Sequence, residues 1–161
     1  MGQLTEITIR PLRPEDLDEA AALEVAHQPT PWSTGVFRDE LAAGNRIYLG
    51  AFGERLLGYA GVMLVGEEAH VTNLLVAPER RRQGIGLGLM VDLTRMAIES
   101  GARHITLEVR SRNKSAQSLY ARLGLAPVGV RKRYYQDDDA LILWAHDIDR
   151  TDFQTHLGSL A

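Results

Sequence analysis

Cysteine is absent from the 161 residues, which excludes disulfides, thiolate metal sites and a cysteine nucleophile and fits a reducing compartment. Long apolar runs are missing as well: none approaches the roughly 20 residues that a membrane-spanning helix needs. The opening "MGQLTEITIR" has neither the hydrophobic stretch of a signal peptide nor an arginine-rich transit character. A cytoplasmic location without membrane partners is therefore expected. Nor is there an excess of positive charge: 18 Lys and Arg against 21 Asp and Glu give a net charge of -3. That sign disfavours a general nucleic-acid binder, whose affinity comes from cations set against phosphates. The five histidines, at 27, 70, 104, 146 and 156, show no ligand spacing, so no metal site is expected. What remains is an ordinary globular composition, 45% hydrophobic and 24% charged, in a length suited to one domain with its own core.

Periodicity orders the elements. Ile7 and Ile9 alternate with polar residues as in a half-buried strand. Pro14 stands where a helix can begin, and Leu17, Ala21 and Leu23 carry it to about His27. "QPTPWS" breaks it, and Ser33 is placed to cap a second helix bearing Val36, Phe37 and Leu41. "RIYLGAF" and "LLGYAGVMLV", separated by "GER", read as a hairpin, and "HVTNLLVAP" as a third strand ending at Pro78. From Gly84 to about Ser100, Ile85, Leu89, Leu93 and Met96 recur at helical spacing, with Gly101 as the stop. "HITLEVR" puts Ile105, Leu107 and Val109 on one strand face and Thr106, Glu108 and Arg110 on the other. Asn113 can cap a helix whose Ala116, Leu119, Tyr120 and Leu123 share a face until Gly124. Two more strands flank "QDDD". The order βααβββαβαββ predicts an α/β fold with a mixed sheet over residues 1–148. Residues 149–161 show little pattern and are expected to form a loose extension.

Between the third strand and the strongest helix lies "ERRRQGIGLG", residues 79–88. There the free N–H groups of a first helical turn meet glycines that let an anion approach closely. A P-loop would need glycine, lysine and Ser/Thr in succession, and a dinucleotide fingerprint a glycine where Leu89 stands. Neither fits. Arg/Gln-x-x-Gly-x-Gly/Ala does, through Arg81, Gly84 and Gly86. On these letters alone a helix start with solvated arginines remains open beside a pyrophosphate cradle. RNA binding through the arginines lacks both a basic protein and interleaved aromatics.

This turn, the element order and "LEVRSRNKSAQSLYARLGL" resemble the GNAT superfamily of acetyl-CoA-dependent N-acetyltransferases over residues 5–148. "PWS" at 31–33, "LEVR" at 107–110, Asn113, "LY" at 119–120 and "RKRYY" at 131–135 are most similar to the RimI-type ribosomal-protein-alanine N-acetyltransferases. The resemblance implies a mostly antiparallel sheet with a central parallel strand pair and about four flanking helices. It implies acetyl-CoA as cosubstrate, its pyrophosphate cradled by Arg82, Gln83, Gly84, Ile85, Gly86 and Leu87. Leu74, Leu75 and Val76 would hold the pantetheine arm and acetyl group, and Asn113 would lie near the reactive end. Glu108 corresponds to the family's base and Tyr120, twelve residues on, to its acid. Trp32, Ser33 and Tyr134 border the implied substrate groove. "QPTPWS" and the short turn "YYQDDDALIL" depart from the usual family form on either side of that groove.

These residue types suit the chemistry. An amine attacks only when neutral, so a carboxylate such as Glu108 can take its proton, directly or through a water. A strand N–H, that of Val76, can stabilise the oxyanion, and a phenol can protonate the departing thiolate. An α-amino group, with pKa near 7.7–8.0 against 10.4 for lysine, is neutralised at pH 7 for about 3 kcal/mol less. A protein N-terminus is thus the expected substrate, that of a ribosomal protein by the resemblance. Small amines, lysine, or a non-catalytic acyl-CoA-binding role are the alternatives. Strand alternation puts Tyr134 and Tyr135 on opposite faces, so only one is expected in a groove. The run Asp137 to Asp139 reads as a solvated turn that can also attract a basic peptide.

Overall fold

A computed structural model describes residues 6–81 and 83–160. Seven strands form one sheet in the order β1-β2-β3-β4-β5-β7-β6. They are β1 (Thr8–Pro11), β2 (Arg46–Phe52), β3 (Leu56–Val65), β4 (Glu68–Val76), β5 (His104–Arg110), β6 (Ala126–Tyr135) and β7 (Asp138–His146). Every neighbouring pair is antiparallel except β4 and β5, which run parallel. The expected element order and mixed sheet are both present.

Helices α1 (Leu17–His27) and α2 (Thr34–Ala42) cover one face, and α3 (Ile85–Glu99) and α4 (Lys114–Leu123) the other. Local chemistry sets their ends. The Ser33 hydroxyl accepts from the Val36 N–H at 3.2 Å and starts α2, and Asn113 Oδ1 accepts from the Ala116 N–H at 3.1 Å and starts α4. Gly101 and Gly124, at φ 102° and 104°, stop α3 and α4 in the left-handed region that disfavours a side chain. Beneath α3 the core gathers Leu89, Met90 and Leu93 against Ile105 and Val62. Beneath α1 and α2, Phe37 stacks edge-on against Trp32 and Tyr59, with centroids 5.3 and 5.2 Å apart.

Two features depart from the sequence reading. The expected loose extension is a fifth helix, α5 (Thr151–Leu160). Its Leu157 is fully buried, and Phe153 lies against Gly124 and the same core. Only Phe153, Leu157 and Leu160 carry the apolar face, three widely spaced positions that periodicity alone does not resolve. On α1 the buried face is Leu17, Ala20 and Glu24, with Ala21 and Leu23 only partly covered. A glutamate holds a core position.

The sheet is continuous from β1 to β4 and then opens. Parallel pairing of β4 with β5 spans only Glu68–His70 against His104–Thr106. Further along, β4 carries a bulge at Thr72, where its register with β3 slips between Gly61 and Val62. Beyond His70 the pairing of β4 with β5 ends and these two strands diverge.

Candidate active site

The divergence creates a cleft of about 390 Å³ between β4 and β5, walled by α1 and the α1–α2 loop on one side and α4 on the other. Backbone polarity there follows from strand alternation. The Ala77 N–H bonds the Leu57 carbonyl at 2.8 Å, in register with Leu75 opposite Tyr59. The polar groups of Leu75 therefore face β3, and those of Leu74 and Val76 turn toward β5, where no ladder continues. Of the expected pantetheine residues, Leu74 and Val76 thus turn their N–H and C=O groups to the cleft side of β4, whereas those of Leu75 are spent on the ladder with β3.

Glu108 and Tyr120 both line the cleft, one from β5 and one from α4. Glu108 shares its strand face with Thr106 and Arg110, as expected, and is 28% exposed at its side chain. The Arg131 Nε lies 3.4 Å from its Oε1. Arg131 reaches it from β6 across β7, opposite Ala140, a fully buried small residue. Tyr120 is 6% exposed, and burial pushes its phenol above the ordinary tyrosine value. Asn113 also lines the cleft, its side-chain oxygen engaged in capping α4.

The residues between β4 and α3 fit a phosphate-bearing cosubstrate. Gly84 is the N-cap of α3 at φ 78°, and a Cβ built there meets nothing within 4 Å. The first bond of the helix is the Gly88 N–H to the Gly84 carbonyl, 2.9 Å, which leaves the N–H groups of Ile85, Gly86 and Leu87 without intrahelical partners. Gly86 also admits Leu119, whose Cδ1 lies 3.0 Å from a Cβ placed on it, so α4 packs closely on α3. Gln83 is exposed beside this turn. Arg82 lies outside the described residues.

The groove residues divide. Trp32 lines the cleft while packing on Phe37. Ser33 does not line it, its hydroxyl being spent on the α2 cap. Tyr134 and Tyr135 do not occupy opposite faces. A register shift between Arg131 and Tyr135, with Arg133 at φ 51°, breaks the alternation and leaves their rings 5.1 Å apart. Tyr135 lines the cleft, stacked under the Arg110 guanidinium at 4.1 Å. Tyr134 is half exposed beside Glu108, which raises its phenol pKa through a hydrogen bond. The acidic run is engaged by other groups of the chain. Asp137 pairs with Arg110, Asp138 accepts from the Arg112 N–H at 2.9 Å, and Asp139 accepts from the Arg133 N–H at 2.9 Å.

Sequence reasoning missed Glu24, Tyr59 and Arg131. For Glu24 a signal existed, since it stands three and four residues beyond a helix's apolar positions, on the stripe that faces the core. Arg131 gave none, because contact with Glu108 depends on strand order.

The Acetyltransferase (GNAT) family model matches residues 9–125. A Bacillus subtilis protein provisionally named a [ribosomal protein bS18]-alanine N-acetyltransferase is 35% identical over 144 residues, covering 87% of this chain and 95% of its own. The N-alpha-acetyltransferase RimI of Mycobacterium tuberculosis is 36% identical over 137 residues, 81% of this chain and 85% of that protein. The crystal structure of the ribosomal-protein-S18-alanine N-acetyltransferase from Escherichia coli superposes with a TM-score of 0.80 at 28% identity, covering 88% of this chain and 94% of that one.

Proposed function

Because the chain belongs to the GNAT acetyltransferase family, we propose that it acetylates a protein α-amino group, with the N-terminal alanine of a small-subunit ribosomal protein as substrate. The observation that carries this reading is the meeting of Glu108 and Tyr120 in one cleft where β4 and β5 part. Relatives named for alanine N-acetylation of bS18 support the choice of amine. Such a substrate puts the enzyme in the cytoplasm, in keeping with the lack, among the described residues, of a helix long and apolar enough to cross a membrane.

Acetyl-CoA, when bound, supplies the acetyl group as a thioester. The α3 N-terminus would hold its pyrophosphate through the N–H groups of Ile85, Gly86 and Leu87, with Gln83 beside them. Leu74 and Val76 present their cleft-facing backbone groups to the pantetheine arm. Glu108 takes the proton of the attacking amine, directly or through a water. Arg131 and the Tyr134 hydroxyl hold that carboxylate and leave part of its roughly four lone-pair sites to the cleft. The Val76 N–H meets the charge that develops on the carbonyl oxygen. The Tyr120 phenol gives its proton to the sulfur as the C–S bond breaks. Trp32 and Tyr135 flank the incoming residue.

The test is a panel of alanine-led peptides, acetyl-capped peptides with an internal lysine, and small amines such as spermidine, each assayed for coenzyme A release. Alanine-led peptides should be preferred by kcat/KM. Preference for the small amines would sink the protein-substrate reading.

A further inference from the structure

Two carboxylates among the described residues are buried, and they are treated differently. Asp16, 6% exposed, is gripped by the Arg10 guanidinium through bonds of 2.8 and 3.1 Å. Glu24, 4% exposed, meets only neutral donors: the Trp32 N–H at 3.3 Å and the Tyr59 hydroxyl. Among the described residues no cation pairs with it. These two donors leave part of a carboxylate's roughly four lone-pair sites unused. Burial accordingly pushes its carboxyl above the ordinary range.

A buried carboxylate without a counter-ion is unfavourable unless a cation reaches it. Glu24 is not sealed in the core. It lines the same cleft as Glu108 and Tyr120, on the α1 wall. Glu108 already has a cationic neighbour in Arg131, so it is poorly placed to serve as the first counter-ion of an arriving ammonium.

We infer that Glu24 is a substrate-recognition carboxylate: it binds the protonated amine as it enters, before Glu108 receives the proton that frees the nitrogen for attack. This assignment rests on the acetyltransferase reading above and adds to it a residue that selects for positive charge. The ligand it takes is a primary ammonium, not a neutral or N-blocked terminus.

The experiment is calorimetric titration of the coenzyme A-loaded protein with two short peptides. One begins with alanine, and the other is identical except that lactic acid replaces that alanine, putting a hydroxyl where the ammonium was. Wild type should bind the ammonium peptide about 10- to 100-fold more tightly, the range of a charge-assisted hydrogen bond. Glu24→Gln keeps an oxygen for Trp32 and Tyr59 and should reduce that preference to near unity, while Glu108→Gln should retain it. In turnover Glu24→Gln should raise KM for the peptide more than it lowers kcat. Should Glu24→Gln fail to fold, Glu24→Asp keeps the charge and should keep the preference.

Retention of the preference in Glu24→Gln overturns the assignment. So does wild-type binding by Glu24→Gln with loss in Glu24→Ala, which would make the residue a pin for the α1–α2 loop. Wild-type acetylation of the alanine peptide measured in parallel separates the two readings. Transfer without ammonium preference removes Glu24 alone, whereas no transfer to any peptide removes the proposed function with it.

Discussion

Replacing Tyr120 by phenylalanine separates the proposed acid from a core aromatic, because the structure assigns the ring and the hydroxyl different surroundings. The ring belongs to the core with Leu123 and Leu125. The hydroxyl makes no hydrogen bond among the described residues and borders the cleft. Its removal leaves packing intact and orphans no partner, so stability should change by less than about 1 kcal/mol. Loss of a general acid should instead slow the chemical step by about 10²- to 10⁴-fold, about 3 to 5 kcal/mol of barrier. Single-turnover acetylation is the proper assay, since product release can mask a chemical step. Acetyl-CoA affinity should stay within a few-fold of wild type. Burial holds the phenol above its ordinary pKa, so it remains protonated across about pH 6 to 9 and contributes no alkaline loss of activity there. An unchanged single-turnover rate would remove Tyr120 from the acid role. A fall in melting temperature that accounts for the lost rate would make it structural.

Other expectations follow from named contacts. Leu157→Ala, at a fully buried site on α5, should destabilise by about 2 to 5 kcal/mol and lower Tm by roughly 6 to 15 °C in thermal denaturation; no shift would return α5 to the status of an appendage. Asp16→Asn should cost about 1.5 to 3 kcal/mol at neutral pH. Its hydrogen bond from Arg10 depresses the folded-state pKa below 3.8, so this stabilisation is present above that value and lost as pH falls through the lower folded one. Urea unfolding at pH 7 and near pH 2 should show the mutant's deficit shrinking in acid. Ser33→Ala should lose about 1 kcal/mol through its cap and leave peptide KM nearly unchanged, whereas a large KM effect would restore Ser33 to the substrate groove.

The parts of this site legible in the sequence are those written in short-range periodicity. Alternation in "HITLEVR" put Glu108 on the face away from the core, and helical spacing put Tyr120 on the inner face of α4. The glycine turn stood out because a positive φ would strain any other residue at Gly84, and close packing against Leu119 favours glycine at Gly86. What stayed hidden depends on strand order or broken register. Nothing local to "RKRYY" reveals that β7 lies between β5 and β6, which brings Arg131 to Glu108. The bulge after Arg131 turned both tyrosines to one side, against the period-two rule that separated them. Charge counting likewise did not pair Asp137 and Asp138 with Arg110 and Arg112, which lie 27 and 26 residues away in the chain.

The short pairing of β4 with β5 gives the sheet an unusual property. Where Leu74 and Val76 turn outward, it is one strand short, and an edge has been made in the middle of a sheet where it cannot recruit another protein's strand. An extended amide-bearing chain of the right width can fill that gap as a strand would, without belonging to the polypeptide. In hydrogen exchange the amides of Leu74 and Val76 should then behave as frayed-edge groups in the free protein and as interior ladder groups once acetyl-CoA is added, while their neighbour Leu75 changes little.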